Sequence, residues 1–175
     1  YFNINKMKVK EKKIMLDTSP RVILVQNVGL FSVGSNLDAA KIAGDLTETN
    51  ARVIASVEET STYKFIPEKD LFDIEYWSLE QAKIKKNKKT LEGNVVVITG
   101  SSGAIGNETY KLFKSHGAEV VLLDYNLQKI KEMQSNIKDL CIHCDVRDKY
   151  SVKNAFKLIC KKFGGIDILI SNAGT

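Results

Sequence analysis

Three glycines and two serines separate an apolar run from a helix-like segment in "VVVITGSSGAIGNE", residues 95–108. Gly100, Gly103 and Gly106 lack a Cβ, which relieves steric limits on a turn and lets the backbone approach a ligand closely. A helix N-terminus adds free backbone N–H groups and the positive end of the helix dipole, both of which attract anions. This spacing predicts a loop that holds phosphate groups.

Polar side chains end the apolar runs that follow this loop. Asp124 ends "AEVVLLD", Asp145 ends "LCIHCD", and Asn172 lies at the end of "IDILISNAG". In a parallel sheet these ends meet at one crevice, where open α/β sheets bind their ligands. A carboxylate at Asp124 can accept hydrogen bonds from both ribose hydroxyls of an adenosine, and it repels a 2′-phosphate. No arginine adjoins Tyr125 in the sequence, so the pattern favours NAD over NADP.

The alternation of elements predicts the fold that would position these groups. After residue 90, apolar runs of strand length alternate with helical segments, which is typical of a parallel sheet covered on both faces. We therefore predict the α/β class, with a Rossmann-like, doubly wound parallel sheet of about four strands. A smaller α/β segment precedes it, with a strand in "RVILVQN" and a helix that Asn36 caps.

Composition excludes several classes of function. The chain has 175 residues and a formal net charge of +5, which falls to −5 without the ten lysines clustered near the N-terminus and around residues 83–89. Lysine runs without interleaved arginines or aromatics are typical of solvated segments, so we expect no nucleic-acid partner. No stretch has the length of a membrane span and no signal peptide opens the chain, so we expect a cytoplasmic protein with no membrane partner.

Cys141 and Cys144 flank His143 in a C-x-x-C pattern that could serve a metal or redox site. Because "DLCIHCD" alternates like a strand, residues three apart are expected on opposite faces, which favours two small buried thiols. The chain has two histidines, His116 and His143, which excludes a histidine-rich zinc site. We assign no metal ligand.

Residues 91–175 resemble the N-terminal half of a short-chain dehydrogenase/reductase. The family's cofactor motif is matched by "TGSSGAIG", with Ala104 where the family has its middle glycine, and its asparagine-alanine-glycine motif by "SNAG". Asp145-Val146 matches the family's contact to the adenine amino group. The resemblance implies strand order 3-2-1-4, an apolar edge strand, and a homo-oligomer. The implied NAD-binding residues are Thr99, Gly100, Ser102, Gly103, Ile105, Gly106, Asp124, Asp145, Val146, Asn172, Ala173 and Gly174.

The resemblance also implies that no catalytic residue lies in this chain. The family's serine, tyrosine and lysine follow the asparagine-alanine-glycine motif, and the sequence stops at Thr175. Tyr110 and Lys114 have the spacing of the catalytic tyrosine and lysine, but they lie in the helix after the glycine loop. We interpret them as a surface helix pair, and we expect the chain itself not to turn over.

Residues 20–90 are similar to the aldolase part of bifunctional sugar-phosphate aldolase/short-chain dehydrogenase fusions, of which the rhamnulose-1-phosphate aldolase type is nearest. This similarity divides the chain into a basic tail (1–20), an aldolase/adducin-like part (21–82), a lysine-rich linker (83–90) and the dehydrogenase half (91–175). The intact protein is expected to transfer hydride between a small alcohol or aldehyde and NAD. The alternatives are a non-catalytic nucleotide-binding or interaction module, and an α/β domain that binds no nucleotide.

Overall fold

The computed structural model describes residues 1–8, 11–84, 89–134 and 139–174. The chain divides into two compact units, the first comprising Tyr1–Val33 and Ile42–Lys88 and the second Gly34–Lys41 and Lys89–Thr175. Part of the predicted linker, the end of the predicted helix beyond residue 134, and Thr175 lie outside the described residues.

Helices dominate the first half of the chain. In order they are α1 (Phe2–Lys6), α2 (Leu37–Glu58), α3 (Glu68–Glu75) and α4 (Ser78–Ile84), with strands β1 (Val22–Val25) and β2 (Gly29–Ser32) between α1 and α2. The predicted cap of α2 is confirmed, because the Asn36 Oδ1 accepts the Ala39 N–H at 2.8 Å. β1 and β2 form an antiparallel hairpin, with Asn27 of the turn at a φ of 61°.

Residues 2–6 form a helix, although the sequence placed them in a solvated basic tail. The Asn5 Nδ2 donates to the Glu68 Oε1 at 2.7 Å, and Asn5 itself is buried. Phe2 contacts Tyr76 with ring centroids 5.0 Å apart, and Tyr76 stacks on Phe72 at 4.6 Å. These aromatic contacts bury apolar surface that a solvated tail would expose, which explains the difference.

The second unit contains a four-stranded parallel sheet. Its elements are β3 (Val95–Thr99), α5 (Ala104–Ser115), β4 (Glu119–Asp124), α6 (Leu127–Met133), β5 (Leu140–His143), α7 (Lys149–Phe163) and β6 (Ile168–Ile170). The strands lie in the order β5-β4-β3-β6, all parallel. This order confirms the predicted 3-2-1-4 arrangement and the Rossmann-like class.

Apolar side chains pack on both faces of this sheet because alternate strand residues point to opposite sides. On one face, Val97 and Leu123 pack with Ile159 of α7. On the other, Ile98 and Leu122 pack in a layer with Tyr110 of α5 and Ile130 of α6. The cysteine pair follows the same alternation, since Cys144 lies in the first layer and Cys141 packs against the second. Their predicted placement on opposite faces is confirmed.

The interpretation of Tyr110 and Lys114 as a surface pair is wrong. Tyr110 is 1% exposed, and its hydroxyl donates to the Asp139 Oδ2. The Lys114 Nζ donates to the Asp139 Oδ1 at 2.8 Å, and the Asp139 side chain is 1% exposed. The phenol can be buried because this carboxylate, just before β5, accepts a hydrogen bond from its hydroxyl. The pair therefore ties α5 to the start of β5.

Tyr110→Phe is expected to lower the free energy of unfolding by about 1–2 kcal/mol, because it removes one donor from a buried carboxylate. Urea denaturation monitored by circular dichroism measures the change. Tyr150→Phe is the matched control, since Tyr150 is 77% exposed and should shift the transition very little. Equal shifts in the two variants would contradict a stabilising role for the Tyr110 hydroxyl.

Candidate functional site

A crevice of about 840 Å³ opens at the carboxyl ends of β3, β4, β5 and β6. It lies within the second unit, where the glycine loop and the strand-end polar residues were expected to meet. Its lining residues are Gly100, Gly103, Ala104, Ile105, Asp124, Tyr125, Cys144, Asp145, Val146, Arg147, Asn172, Ala173 and Gly174.

Two glycines of the loop are required by its geometry. Gly100 has a φ of +63°, and a Cβ there would lie 2.8 Å from the Ala173 Cα. A Cβ on Gly106 would lie 2.4 Å from the Gly100 carbonyl oxygen and 2.7 Å from the Ser101 Cα. Gly106 thus lets the first turn of α5 pack directly on the loop.

The N-terminus of α5, where Gly103, Ala104 and Ile105 line the crevice, carries unpaired N–H groups. Gly103 is the N-cap, and the first intrahelical bond runs from the Asn107 N–H to the Gly103 carbonyl oxygen at 2.9 Å. The N–H groups of Ala104, Ile105 and Gly106 therefore have no acceptor among the described residues, as expected for the first turn of a helix. Together with the helix dipole they can bind an anion.

Asp124, at the end of β4, is tied to the glycine loop. Its Oδ2 accepts the Ser102 N–H at 2.8 Å and its Oδ1 accepts the Asn126 N–H at 2.9 Å. A carboxylate has about four lone-pair positions, so each oxygen can accept a further hydrogen bond. The backbone N–H of Ser102 is committed to Asp124, which leaves the α5 N–H groups as the donors for an anion.

Asp145, which follows β5, forms a forked ion pair with Arg147. The Arg147 Nε and backbone N–H both donate to Oδ1 at 3.0 Å, and Nη2 donates to Oδ2 at 2.9 Å. These hydrogen bonds lower the pKa of Asp145 to about 2, which keeps the side chain a carboxylate at neutral pH. Arg147 was not among the predicted site residues, although it directly follows Asp145-Val146.

Asn172, beyond β6, holds the glycine loop from the other side. Its Nδ2 donates to the carbonyl oxygens of Thr99 and Gly100, both at 3.0 Å. The Thr99 Oγ1 accepts the backbone N–H groups of Asn172 and Ala173, also at 3.0 Å. Thr99 and Asn172 therefore fix the loop and the end of β6 to each other.

Most of the predicted cofactor-binding residues line the crevice, and three do not. Thr99, Ser102 and Gly106 lie behind it, where they hold the loop in place. Sequence reasoning missed four lining residues, namely Ala104, Tyr125, Cys144 and Arg147. Each of them adjoins a predicted residue, since Ala104 lies between Gly103 and Ile105, Tyr125 follows Asp124, and Cys144 and Arg147 flank Asp145-Val146. Adjacency is the signal that could have found them.

In the part of the chain that the structure describes, no three His, Cys, Asp or Glu side chains group in a way that could hold a metal ion. No helix there is both long and apolar enough to cross a membrane.

Comparison with protein families divides the chain in two. Residues 1–84 match the family described as aldolase class II, second domain. Residues 94–175 match the family described as short chain dehydrogenase. The order of the two matches confirms the fusion-like arrangement inferred from the sequence.

Individual relatives match this chain over only part of their own length. The uncharacterized oxidoreductase YuxG of Bacillus subtilis is 27% identical over 169 residues, 91% of this chain and 24% of the relative. The short-chain dehydrogenase reductase 3b of Arabidopsis thaliana is 40% identical over 89 residues, 49% of this chain and 35% of the relative. A 3-ketoacyl-(acyl-carrier-protein) reductase from Brucella melitensis, crystallised with NADH, is 34% identical and has a TM-score of 0.46, over 49% of this chain and 36% of that chain. This chain thus spans about a quarter to a third of these relatives.

Proposed function

We propose that this chain binds NAD. The premise is that residues 94–175 belong to the short-chain dehydrogenase family and residues 1–84 to the class II aldolase second-domain family. The N–H groups at the start of α5 bind the diphosphate, and the Asp124 carboxylate accepts hydrogen bonds from the hydroxyls of the adenosine ribose. In the intact protein, hydride then passes between NAD and a small alcohol or aldehyde.

One observation carries the proposal. A single crevice joins unpaired N–H donors at a helix N-terminus to a carboxylate at the end of the neighbouring strand β4. A diphosphate linked to a ribose needs both kinds of group, the donors for its charged oxygens and the acceptor for its hydroxyls. The volume of about 840 Å³ lies within the usual range for cofactor pockets.

Asp124 supports NAD over NADP. Its carboxylate would face the 2′-position of the ribose, where a phosphate group would meet a like charge. Arg147 lines the same crevice and is the cation that the sequence did not reveal there. Its guanidinium is engaged by the Asp145 carboxylate, so it offsets little of the repulsion at Asp124.

The chain itself is proposed to bind nucleotide without turnover. Tyr110 and Lys114 have the catalytic spacing, but both are committed to Asp139 and neither lines the crevice.

Calorimetric titration of the chain with NAD and with NADP tests the proposal. We expect NAD to bind at least about tenfold more tightly, which corresponds to about 1.4 kcal/mol. Asp124→Ala should weaken NAD binding and bring the affinities for NAD and NADP closer together, because it removes both the hydrogen-bond acceptor and the repulsive charge. Asp73→Ala, which removes an exposed carboxylate of the first unit, should leave the ratio unchanged.

Two outcomes would overturn the proposal. If neither nucleotide binds to protein whose circular dichroism shows it folded, the crevice is not a cofactor site. If NADP binds as tightly as NAD, Asp124 does not set the preference.

A further inference from the structure

We propose that His143 is a specificity-determining residue for the cofactor. In mild acid its positive charge lets the site at Asp124 accept a 2′-phosphate, so that the preference for NAD over NADP falls as the pH falls. The inference rests on the proposed NAD binding and deepens the role given there to Asp124.

His143 lies beside Asp124 on the neighbouring strand. It is the last residue of β5, and its register partner on β4 is Asp124. Neighbouring strands lie about 4.8 Å apart, and register partners in a parallel pair project to the same face of the sheet. The His143 side chain therefore leaves the sheet on the same side as the carboxylate that is proposed to face the ribose.

Two further contacts place His143 at the crevice. The ring of Tyr125, which lines the crevice, has its centroid 5.4 Å from that of the His143 ring. The charge of His143 also reaches Asp145, since the pKa of that carboxyl is lowered chiefly by hydrogen bonds from Arg147 and to a smaller extent by His143. The His143 side chain is itself exposed, so a phosphate group can approach it from solvent.

Other charged groups surround the end of β5 in the described part of the chain. They are Asp124 of β4, Asp145 and Arg147 of the turn after β5, Lys131 of α6, and Asp148 and Lys162 of α7. Arg147 is paired with Asp145, and the two lysines act on Cys141, two residues before His143. Asp148 caps α7 and acts on Cys144, which lies in the core layer on the opposite face of the sheet. His143 is thus the cation that stands next to Asp124 on its own face.

The charge of His143 decides how a 2′-phosphate is received. With a neutral imidazole the phosphate meets the like charge of Asp124, and NAD is preferred. Histidine is the side chain that gains its positive charge between about pH 8 and about pH 5. An imidazolium attracts the phosphate of NADP, whereas NAD has an uncharged hydroxyl at that position and gains little. For unit charges roughly 7 Å apart in water, this attraction is worth about threefold in affinity.

Calorimetric titration with NAD and with NADP, at about pH 8 and about pH 5.5, tests the inference. In the unaltered chain we expect the ratio of the two affinities, NAD over NADP, to be lower at the acidic pH. The 2′-phosphate itself takes up a proton near about pH 6, which lowers this ratio in every variant. The contribution of His143 is therefore the difference from His143→Gln, in which the fall of the ratio should be smaller by at least about threefold.

Two more variants sharpen the test. His143→Lys keeps a positive charge throughout this pH range, so at about pH 8 its ratio should already lie about threefold below that of the unaltered chain. His116→Gln is the matched control, because His116 caps the C-terminal end of α5, away from the crevice. It should retain the full pH dependence of the unaltered chain, and circular dichroism at both pH values checks that each variant is folded.

A His143→Gln variant whose ratio falls as steeply as that of the unaltered chain would overturn the inference, because the proton on the phosphate then explains the whole change. A ratio that is the same at both pH values in the unaltered chain would overturn it as well. In both cases NAD binding stands. If folded protein binds neither dinucleotide at either pH, the proposed function fails, and the inference fails with it.

Discussion

Gly106→Ala is expected to lower the free energy of unfolding by on the order of 3 kcal/mol and to abolish nucleotide binding. The added Cβ would lie 2.4 Å from the Gly100 carbonyl oxygen and 2.7 Å from the Ser101 Cα. Both are backbone atoms, so no side chain can rotate away and α5 must move off the loop. Overpacking of this kind costs about 1–3 kcal/mol and occasionally more.

The direction of the change in the free energy of unfolding is informative, because helix propensity alone would stabilise Gly106→Ala. Alanine is favoured over glycine inside a helix by about 1 kcal/mol, so a position without the close approach would become more stable. Gly165→Ala is the control for the added methyl group alone, since Gly165 lies outside the helices and a Cβ there would meet no atom within 4 Å. Urea denaturation of both variants measures the difference, and a Gly106→Ala chain as stable as the parent would show that α5 need not pack so closely on the loop.

The sheet and its glycine loop could be predicted because their signals are local. The apolar runs of β3 and β4 are long enough to be buried on both faces, and the glycines stand directly between a strand and a helix. Asp124 and Asn172 were found because strand ends converge in any parallel sheet. The helix cap at Asn36 was found because the capping residue directly precedes the helical segment.

Contacts between distant residues were missed. Tyr110 donates a hydrogen bond to Asp139, 29 positions away, and no residue near Tyr110 in the sequence indicates a buried acceptor. Arg147 reaches the crevice through the turn that follows β5, so it lies far from Tyr125 in the sequence although both residues line the same crevice. Of the hairpin, only β1 was predicted, because the turn at Asn27 lacks the Asn-Gly pair that marks tight hairpins and Gly29 is already the first residue of β2.

Asn172→Ala is expected to lower the free energy of unfolding by about 2 kcal/mol and to weaken NAD binding by more than tenfold. The Asn172 amide donates to two carbonyl oxygens, on Thr99 and Gly100, at the point where the glycine loop begins. Each lost hydrogen bond costs about 1 kcal/mol, and the loop then loses the contact that fixes it to the end of β6. Asn154→Ala, an exposed asparagine of α7, is the matched control in denaturation and in titration with NAD.

Asn172→Asp distinguishes the effect of the two donated hydrogen bonds on stability from the effect of side-chain volume. The carboxylate has nearly the same shape but cannot donate, and it places negative charge against the Thr99 and Gly100 carbonyl oxygens. This variant should therefore be at least as unstable as Asn172→Ala at neutral pH. Acidification should recover part of the loss, because a protonated carboxyl can donate to one of the two oxygens. If the two variants are equally stable at every pH, the amide acts by filling space, and the loop does not depend on its hydrogen bonds.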